Sequence, residues 1–320
     1  MRCIKCRGKA CVDIRRHNSA FCREHFFEYF ENQVRRAIDE YDMMRPEDRV
    51  LVAVSGGKDS LALWDVLLRL GYRADGLYID LGIGEYSEES KRLTQKFAAR
   101  RDATLHVVTV ADEFGHSVPE LARAVRRVPC AACGTTKRYT FNRTARELGY
   151  DVLATGHNLD DEAAALLGNL VHWNMDYLAR QCPALPAGNG LVKKVKPLYR
   201  VGERETASYA VLRGIDYMVD ECPHAVGNQQ LQYKEALNLM ERDSPGTKHA
   251  LLFGFLEKGR PHFQAPELPP LRACYECGEP TTAPVCNQCR LVARARTFYE
   301  RFELRPAEAP ASRSGAPSPP

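Results

Sequence analysis

Residues 49–55, RVLVAVS, form a continuous apolar run that stops at Gly56-Gly57, after which Leu61, Trp64 and Leu68 recur at helical spacing up to Gly71. A buried strand, a glycine-rich turn and a helix in that order commit this part of the chain to a sheet covered by helices. The alternation continues: DGLYIDLG reads as a second strand, SEESKRLTQKFAARRD as a helix, LHVVTV as a third strand and PELARAVRR as a helix. TKRYTFNRTARELG is a further helix that starts after Cys133, DVLATG a strand, and NLDDEAAALLGNL a helix directly behind it. The pattern predicts an α/β fold over residues 46–260, a doubly wound and mostly parallel sheet with ligand chemistry at the carboxyl ends of its strands.

Around this core, residues 1–30 read as an amino-terminal Cys/His module, 31–45 as a charged connecting helix and 261–273 as a Pro-rich linker. Residues 274–300 hold a second Cys-rich module, and 301–320 have the composition of a disordered tail. Hydrophobic residues at 44% and charged residues at 27% fit a globular protein, and no run approaches the ~18 apolar residues of a membrane span. MRCIKCRGKACVDIRR lacks the apolar core of a secretory signal, so the expected location is the reducing cytoplasm, away from membranes. The net charge of +4 permits a polyanionic partner without demanding one.

Twelve cysteines in a reducing compartment point to metal or redox chemistry, and eight of them form four C-x-x-C pairs. Cys3-x-x-Cys6 followed by Cys22-x-x-His25 has the spacing of a tetrahedral Cys₃His zinc site; Cys274, Cys277, Cys286 and Cys289 have that of a Cys₄ site. Lys5, Arg7, Lys9, Arg15 and Arg16 flank the first set and Arg290, Arg294 and Arg296 the second, which suits RNA phosphates and equally suits a solvated surface. Lys193, Lys194, Lys196, Arg200 and Arg204, with Arg126 and Arg127, make a second candidate phosphate track. For Cys130, Cys133 and Cys222 three readings stand: a redox dithiol, a zinc site lacking one ligand, or an iron–sulfur cluster on three thiolates. Cys11 and Cys182 have no assigned role.

Ser55-Gly56-Gly57-Lys58-Asp59-Ser60 lies at the strand-to-helix junction, where glycine backbone amides, two hydroxyls and a helix amino terminus can cradle phosphate. A tight βα turn is the plain alternative. A Walker A loop cannot be laid over it, so γ-phosphate transfer is disfavoured. SGGKDS resembles the signature of the PP-loop ATP pyrophosphatases, which cleave ATP between its α and β phosphates to adenylate a substrate. Thr155-Gly156-His157-Asn158-Leu159-Asp160-Asp161-Glu162 is similar to a second stretch of the PP-loop enzymes that modify tRNA, and its adjacent carboxylates suit Mg²⁺.

The resemblance implies an ATP site from Ala53, Ser55, Gly56, Gly57, Lys58, Asp59, Ser60, Ile79, Gly156 and Asp161. It implies Asp59, Lys137 and Asp161 near the reacting centre, and a [4Fe–4S] cluster on Cys130, Cys133 and Cys222 whose open iron takes hydrosulfide. With the paired terminal zinc modules, the order of parts resembles the tRNA two-thiouridine synthetases, and CGTTKRY the branch that thiolates T-loop 5-methyluridine at tRNA position 54. That implies ATP, Mg²⁺, one cluster and two Zn²⁺ as cofactors. The implied partners are tRNA and a ubiquitin-like carrier with a C-terminal thiocarboxylate, and a homodimer is left open. Wobble-uridine (position 34) or cytidine thiolation by a related PP-loop enzyme, another adenylating ligase, and a zinc-based RNA-binding protein with a vestigial loop are the alternatives.

Overall fold

The computed structural model describes residues 1–126, 128–225, 229–264 and 270–303. Arg127 of the candidate phosphate track, part of the expected linker and the tail from residue 304 lie outside the described residues.

Six strands make the central sheet: β1 (Arg49–Val54), β2 (Arg73–Asp80), β3 (Leu105–Thr109), β4 (Val152–Thr155), β5 (Ala184–Leu185) and β6 (Lys193–Val195), in the order β3-β2-β1-β4-β6-β5. All pairings are parallel except β5 on β6, which caps one edge with an antiparallel strand. That edge hairpin carries no apolar alternation, which is why β5 is invisible in the sequence. In register, Val50 faces Val152 and Ala53 faces Thr155, so the turns after β1 and β4 meet side by side at the sheet's carboxyl end. This is the crevice where doubly wound sheets bind ligands.

The helices that frame it are α1 (Arg23–Glu40), α2 (Lys58–Arg69), α3 (Gly84–Arg101), α4 (Pro129–Glu147), α5 (Leu159–Val171), α6 (Glu203–Arg213), α7 (Gln229–Asp243) and α8 (Asn287–Glu303). α2 is apolar almost all round because it is buried almost all round, Trp64 included. The helix expected over 31–45 starts eight residues earlier, at Arg23, and ends at Glu40. It buries Phe26, Phe30, Val34, Ala37 and Ile38 at helical spacing, and Phe30 stacks on Tyr209 of α6 with ring centroids 4.1 Å apart. One core on this side of the sheet therefore runs from Val12, Ile14 and Phe21 of the amino-terminal hairpin through α1 and α2 to Tyr209. On the other side Leu51, Leu77, Ile79 and Leu153 pack under α4, and Leu291 and Ala295 of α8 join them. No helix among the described residues is long and apolar enough to cross a membrane.

Candidate functional site

The turn after β1 is held from within. Ser60 Oγ accepts from the Ser55 amide at 3.1 Å and donates to the Gly57 carbonyl at 3.0 Å, closing Ser55–Ser60 into a compact loop. Gly56 has φ of +75°, and a Cβ there would meet the Ser90 carbonyl at 2.6 Å. Only glycine fits. Gly156, at the end of β4, would drive a Cβ to 2.9 Å from the Ser60 nitrogen, so its missing side chain lets the two turns touch. Ala53 and Ile79, near the carboxyl ends of β1 and β2, belong to the core on the α4 face.

Asn158 joins the two motifs. It is fully buried; its Oδ1 caps α5 by accepting from the amides of Asp160 and Asp161 at 2.9 and 3.1 Å, and its Nδ2 donates to Asp59 Oδ1 at 3.0 Å. Thr206 Oγ1 donates to the same carboxylate oxygen. The two candidate carboxylates differ from Asp160, which is buried and committed to Lys248 and to the Glu203 amide at 2.8 Å.

A chain of ion pairs crosses the crevice. Lys58 lies 3.0 Å from Asp59 and 2.7 Å from Glu203; Lys234 of α7 lies 3.0 Å from Glu203 and 2.7 Å from Asp161. Burial pushes the Asp59 carboxyl above its usual range and the negative charge of Asp161 adds to this, with Lys58 and Thr206 pulling against it. Burial works against the Lys58 ammonium, but Asp59 and Glu203 outweigh it and raise its pKa. Glu203 is also opposed by burial, yet the hydrogen bond from Lys58 and the charge of Lys234 hold it down at about 2. Two lysines thus thread a nest of three carboxylates and leave one negative charge uncompensated. A divalent cation on Asp59 and Asp161 would relieve their mutual repulsion, which is chemistry the donor set fits.

The structure corrects the placement of the inner cysteine pair. Cys130 and Cys133 lie in the first turn of α4, which begins at Pro129, rather than ahead of the helix. Lys137, four residues on, stands one turn above Cys133 and interacts with its thiol. Cys222 comes from a separate segment: the Met218 amide donates to the Gly56 carbonyl at 2.8 Å, pinning that segment to the phosphate loop four residues before Cys222. Cys130 Sγ lies 3.4 Å from the His224 carbonyl. Burial pushes the Cys133 thiol up, Lys137 pulls it down, and the charges of Cys222 and Cys130 push it up further. The burial that raises the Tyr86 phenol at the start of α3 is reinforced by Cys222 and Cys133. The Cys130–His224 contact brings the Cys222 segment against the start of α4, so three thiols from two segments share one region of charge, a donor set that suits an iron–sulfur cluster.

Each terminal set is drawn tighter. Its four ligand atoms lie within 4.8 Å of one another, and among the described residues only these two sets meet that limit. Cys6 Sγ is 3.8 Å from Cys22 Sγ, and Cys277 Sγ 3.8 Å from Cys286 Sγ. Thiolates at ~2.3 Å from a tetrahedral ion stand about 3.8 Å apart, so both sets could hold zinc. Burial opposes ionisation of Cys3 and Cys274, but backbone amides overcome it and hold each thiol at about 6.

The expected basic track does not form a continuous line. Lys193 donates to the Asp42 carbonyl and Arg200 pairs with Glu40 at 2.6 Å, both turned toward the end of α1. Lys196 pairs with Glu162 at 2.7 Å, and burial together with the charge of Lys196 lowers the Lys194 pKa.

The PP-loop domain model matches residues 28–236, and that of the 2-thiouridine synthetase TtuA N-terminal LIM domain residues 2–27. A tRNA-5-methyluridine(54) 2-sulfurtransferase of Thermus thermophilus is 55% identical over 308 residues, 96% of each chain. The chain belongs to the PP-loop tRNA 2-sulfurtransferase family. It is an enzyme of that type. The sulfurtransferase of the same name from Pyrococcus horikoshii is 43% identical, over 91% of this chain and 93% of its own. Among solved structures, the U34-tRNA thiolase NcsA of Methanococcus maripaludis, described with its [4Fe-4S] cluster, superposes with a TM-score of 0.78 at 25% identity, covering 91% of this chain and 95% of that one.

For a sulfurtransferase of this family, the sequence pattern left out Asn158, Glu203, Thr206 and Lys234 as site residues. Asn158 was within reach, because it begins a capping box with Asp161. The other three sit on helices whose arrival at the crevice no local spacing signals.

Proposed function

We propose that the chain is the ATP-dependent enzyme that replaces the C2 oxygen of T-loop 5-methyluridine, at tRNA position 54, with sulfur. The observation that carries this reading is the convergence of the Ser55–Ser60 loop, the Asp59–Asn158–Asp161 carboxylate bridge and three thiols on one crevice. The amides of Gly56 and Gly57 and the start of α2 receive phosphate oxygens. Ala53, Ile79 and Gly156 shape the nucleotide's seat, and Asp59 and Asp161 would hold Mg²⁺, which would offset phosphate charge. Lys58, freed from Glu203, neutralises charge on the phosphates as the uracil C2 oxygen attacks the α phosphorus and pyrophosphate leaves. Lys137 stabilises the activated base.

Cys130, Cys133 and Cys222 would hold a [4Fe–4S] cluster, which would supply a binding site for the incoming sulfur. A ubiquitin-like carrier with a C-terminal thiocarboxylate delivers that sulfur, and AMP departs as the C2–sulfur bond forms. Zinc at the two terminal sets is structural. The site of action is the cytoplasm, where free cysteines persist. The likeness to the tRNA-5-methyluridine(54) 2-sulfurtransferases of Thermus thermophilus and Pyrococcus horikoshii supports this base over the wobble uridine.

The test is mass spectrometry of nucleosides from tRNA incubated anaerobically with iron-loaded protein, ATP, Mg²⁺ and sulfide. Wild type should yield 2-thio-5-methyluridine from the T-loop, and Cys222→Ala should lose both acid-labile sulfide and product. Full thiolation by Cys222→Ala would remove the cluster from the mechanism, and thiouridine at the wobble position would redirect the substrate.

A further inference from the structure

We infer that Arg16, in the amino-terminal metal module, is a positioning residue of the nucleotide site, which it reaches through Glu205 and the start of α6. The inference rests on the reading of Ser55–Ser60 as the ATP loop.

Arg16 lies on the short turn Arg15–His17 between the two strands of the amino-terminal hairpin, Val12–Ile14 and Ser19–Phe21. Its guanidinium leaves that module and enters the body of the protein, where it engages both oxygens of Glu205: Nη1 with Oε1, and Nη2 with Oε2 at 3.0 Å. Nη2 also donates to Tyr29 Oη at 2.7 Å and to the Arg200 carbonyl at 3.3 Å. Both side chains are less than a tenth exposed. A forked guanidinium on a buried carboxylate fixes orientation as well as distance.

Glu205 has a second task. Its Oε2 accepts from the Gly202 amide at 3.3 Å, and the Asp160 carboxylate takes the Glu203 amide at 2.8 Å, so the first turn of α6 is clamped on two sides. Glu203 and Thr206, three residues apart, share the face that this turn presents to the crevice. Glu203 is the hinge of the Lys58 and Lys234 ion pairs, and Thr206 donates to Asp59. Removing the Arg16 fork leaves the buried Glu205 with the Gly202 amide but no cation, and the first turn of α6 loses the contact that fixes its orientation. Lys58 and Asp59 then lose their registry on the phosphates. The amino-terminal hairpin thus reaches the adenylation centre through one side-chain pair, Arg16–Glu205.

The experiment is calorimetric titration of the full-length, metal-loaded protein with α,β-methylene-ATP and Mg²⁺, for wild type, Arg16→Gln, Arg16→Lys, Glu203→Gln and the Arg16→Gln/Glu203→Gln double variant, with thermal melts and zinc content in parallel. Arg16→Gln should weaken binding about ten-fold with an unchanged stoichiometry, Arg16→Lys should recover part of that loss, and the double variant should bind no more than about two-fold worse than the weaker single. Losses that multiply in the double variant, or an unchanged Kd with only a lowered Tm or active fraction, would overturn the positioning role. If Arg16→Gln does not fold, Glu205→Gln carries the same expectation, and failure of both to fold makes the pair a folding element and sinks the inference. Wild type that binds no nucleotide refutes the ATP loop itself, an outcome separate from a null result in the variants.

Discussion

Gly56 holds the loop open at a backbone angle that side chains resist. In Gly56→Ala the methyl group must displace the Ser90 backbone, which cannot swing away as a flexible side chain would. The expected cost is about 2 kcal/mol of stability, read as a lower urea midpoint, together with loss of nucleotide binding. Glu203 offers a different readout, because its ionisation is tied to the fold. Its folded carboxyl at about 2 lies below the ordinary value of 4.5, so the stability it contributes is complete above pH 4.5 and drains away as pH falls toward 2. Glu203→Gln should flatten that acid limb by up to one proton, measured as the pH dependence of the urea midpoint, and should raise the KM for ATP. An acid limb identical to wild type would mean the two lysines do not grip it in solution.

At the scale of elements, the carboxy-terminal module is docked by a few polar contacts onto α4, the helix that carries the inner cysteines. Glu279 is 4% exposed and pairs with Arg146 and, at 3.1 Å, with Asn142; Gln288 accepts from Thr136. Leu291 and Ala295 then pack beside Ala132 and Cys133. Glu279→Ala frees Arg146 to water but strands the module's edge, with an expected loss of about 1 to 2 kcal/mol. Faster proteolysis of the junction near residue 279 and faster zinc release to a chelator should accompany it, and unchanged zinc release would show that docking and metal retention are independent. These elements also show where sequence reading works. Zinc-type sets are written in short spacings, so both were legible from residue types alone, as were the alternating strands and helices of the sheet. Pro129 before Cys130 was a helix-start signal, outweighed by the periodic run that begins at Thr136. Glu203, Thr206 and Lys234 were illegible for a physical reason: each is an ordinary surface-type residue on an amphipathic helix, and its role exists only once α6 and α7 cross the mouth of the sheet.

For the molecule as a whole, the question is whether the amino-terminal module is an appendage or part of the core. Its sequence, charged and short of apolar pattern, suggests an appendage. The structure joins it to the sheet through Val12, Ile14 and Phe21, through the Phe26, Phe30 and Tyr209 rings, and through the Arg16–Glu205 pair. A module of this size has no core of its own, and a metal ion on its four ligand atoms would hold the hairpin. Stripping metal from Cys3, Cys6, Cys22 and His25 should therefore unfasten a wall of the main core rather than melt a separate unit. Calorimetry of a Cys6→Ser variant, which removes one exposed ligand and leaves the carboxy-terminal set intact, should show a single transition lowered by about 3 °C, the shift that about 2 kcal/mol produces in a chain of this size. Two resolved transitions, the upper one unmoved, would mean that the hairpin melts on its own and that the contacts across Phe21 and Arg16 carry no cooperativity. A single lowered transition would instead couple metal occupancy at the amino terminus to the stability of the ATP crevice, because the same core supports α2 and α6 on its far side.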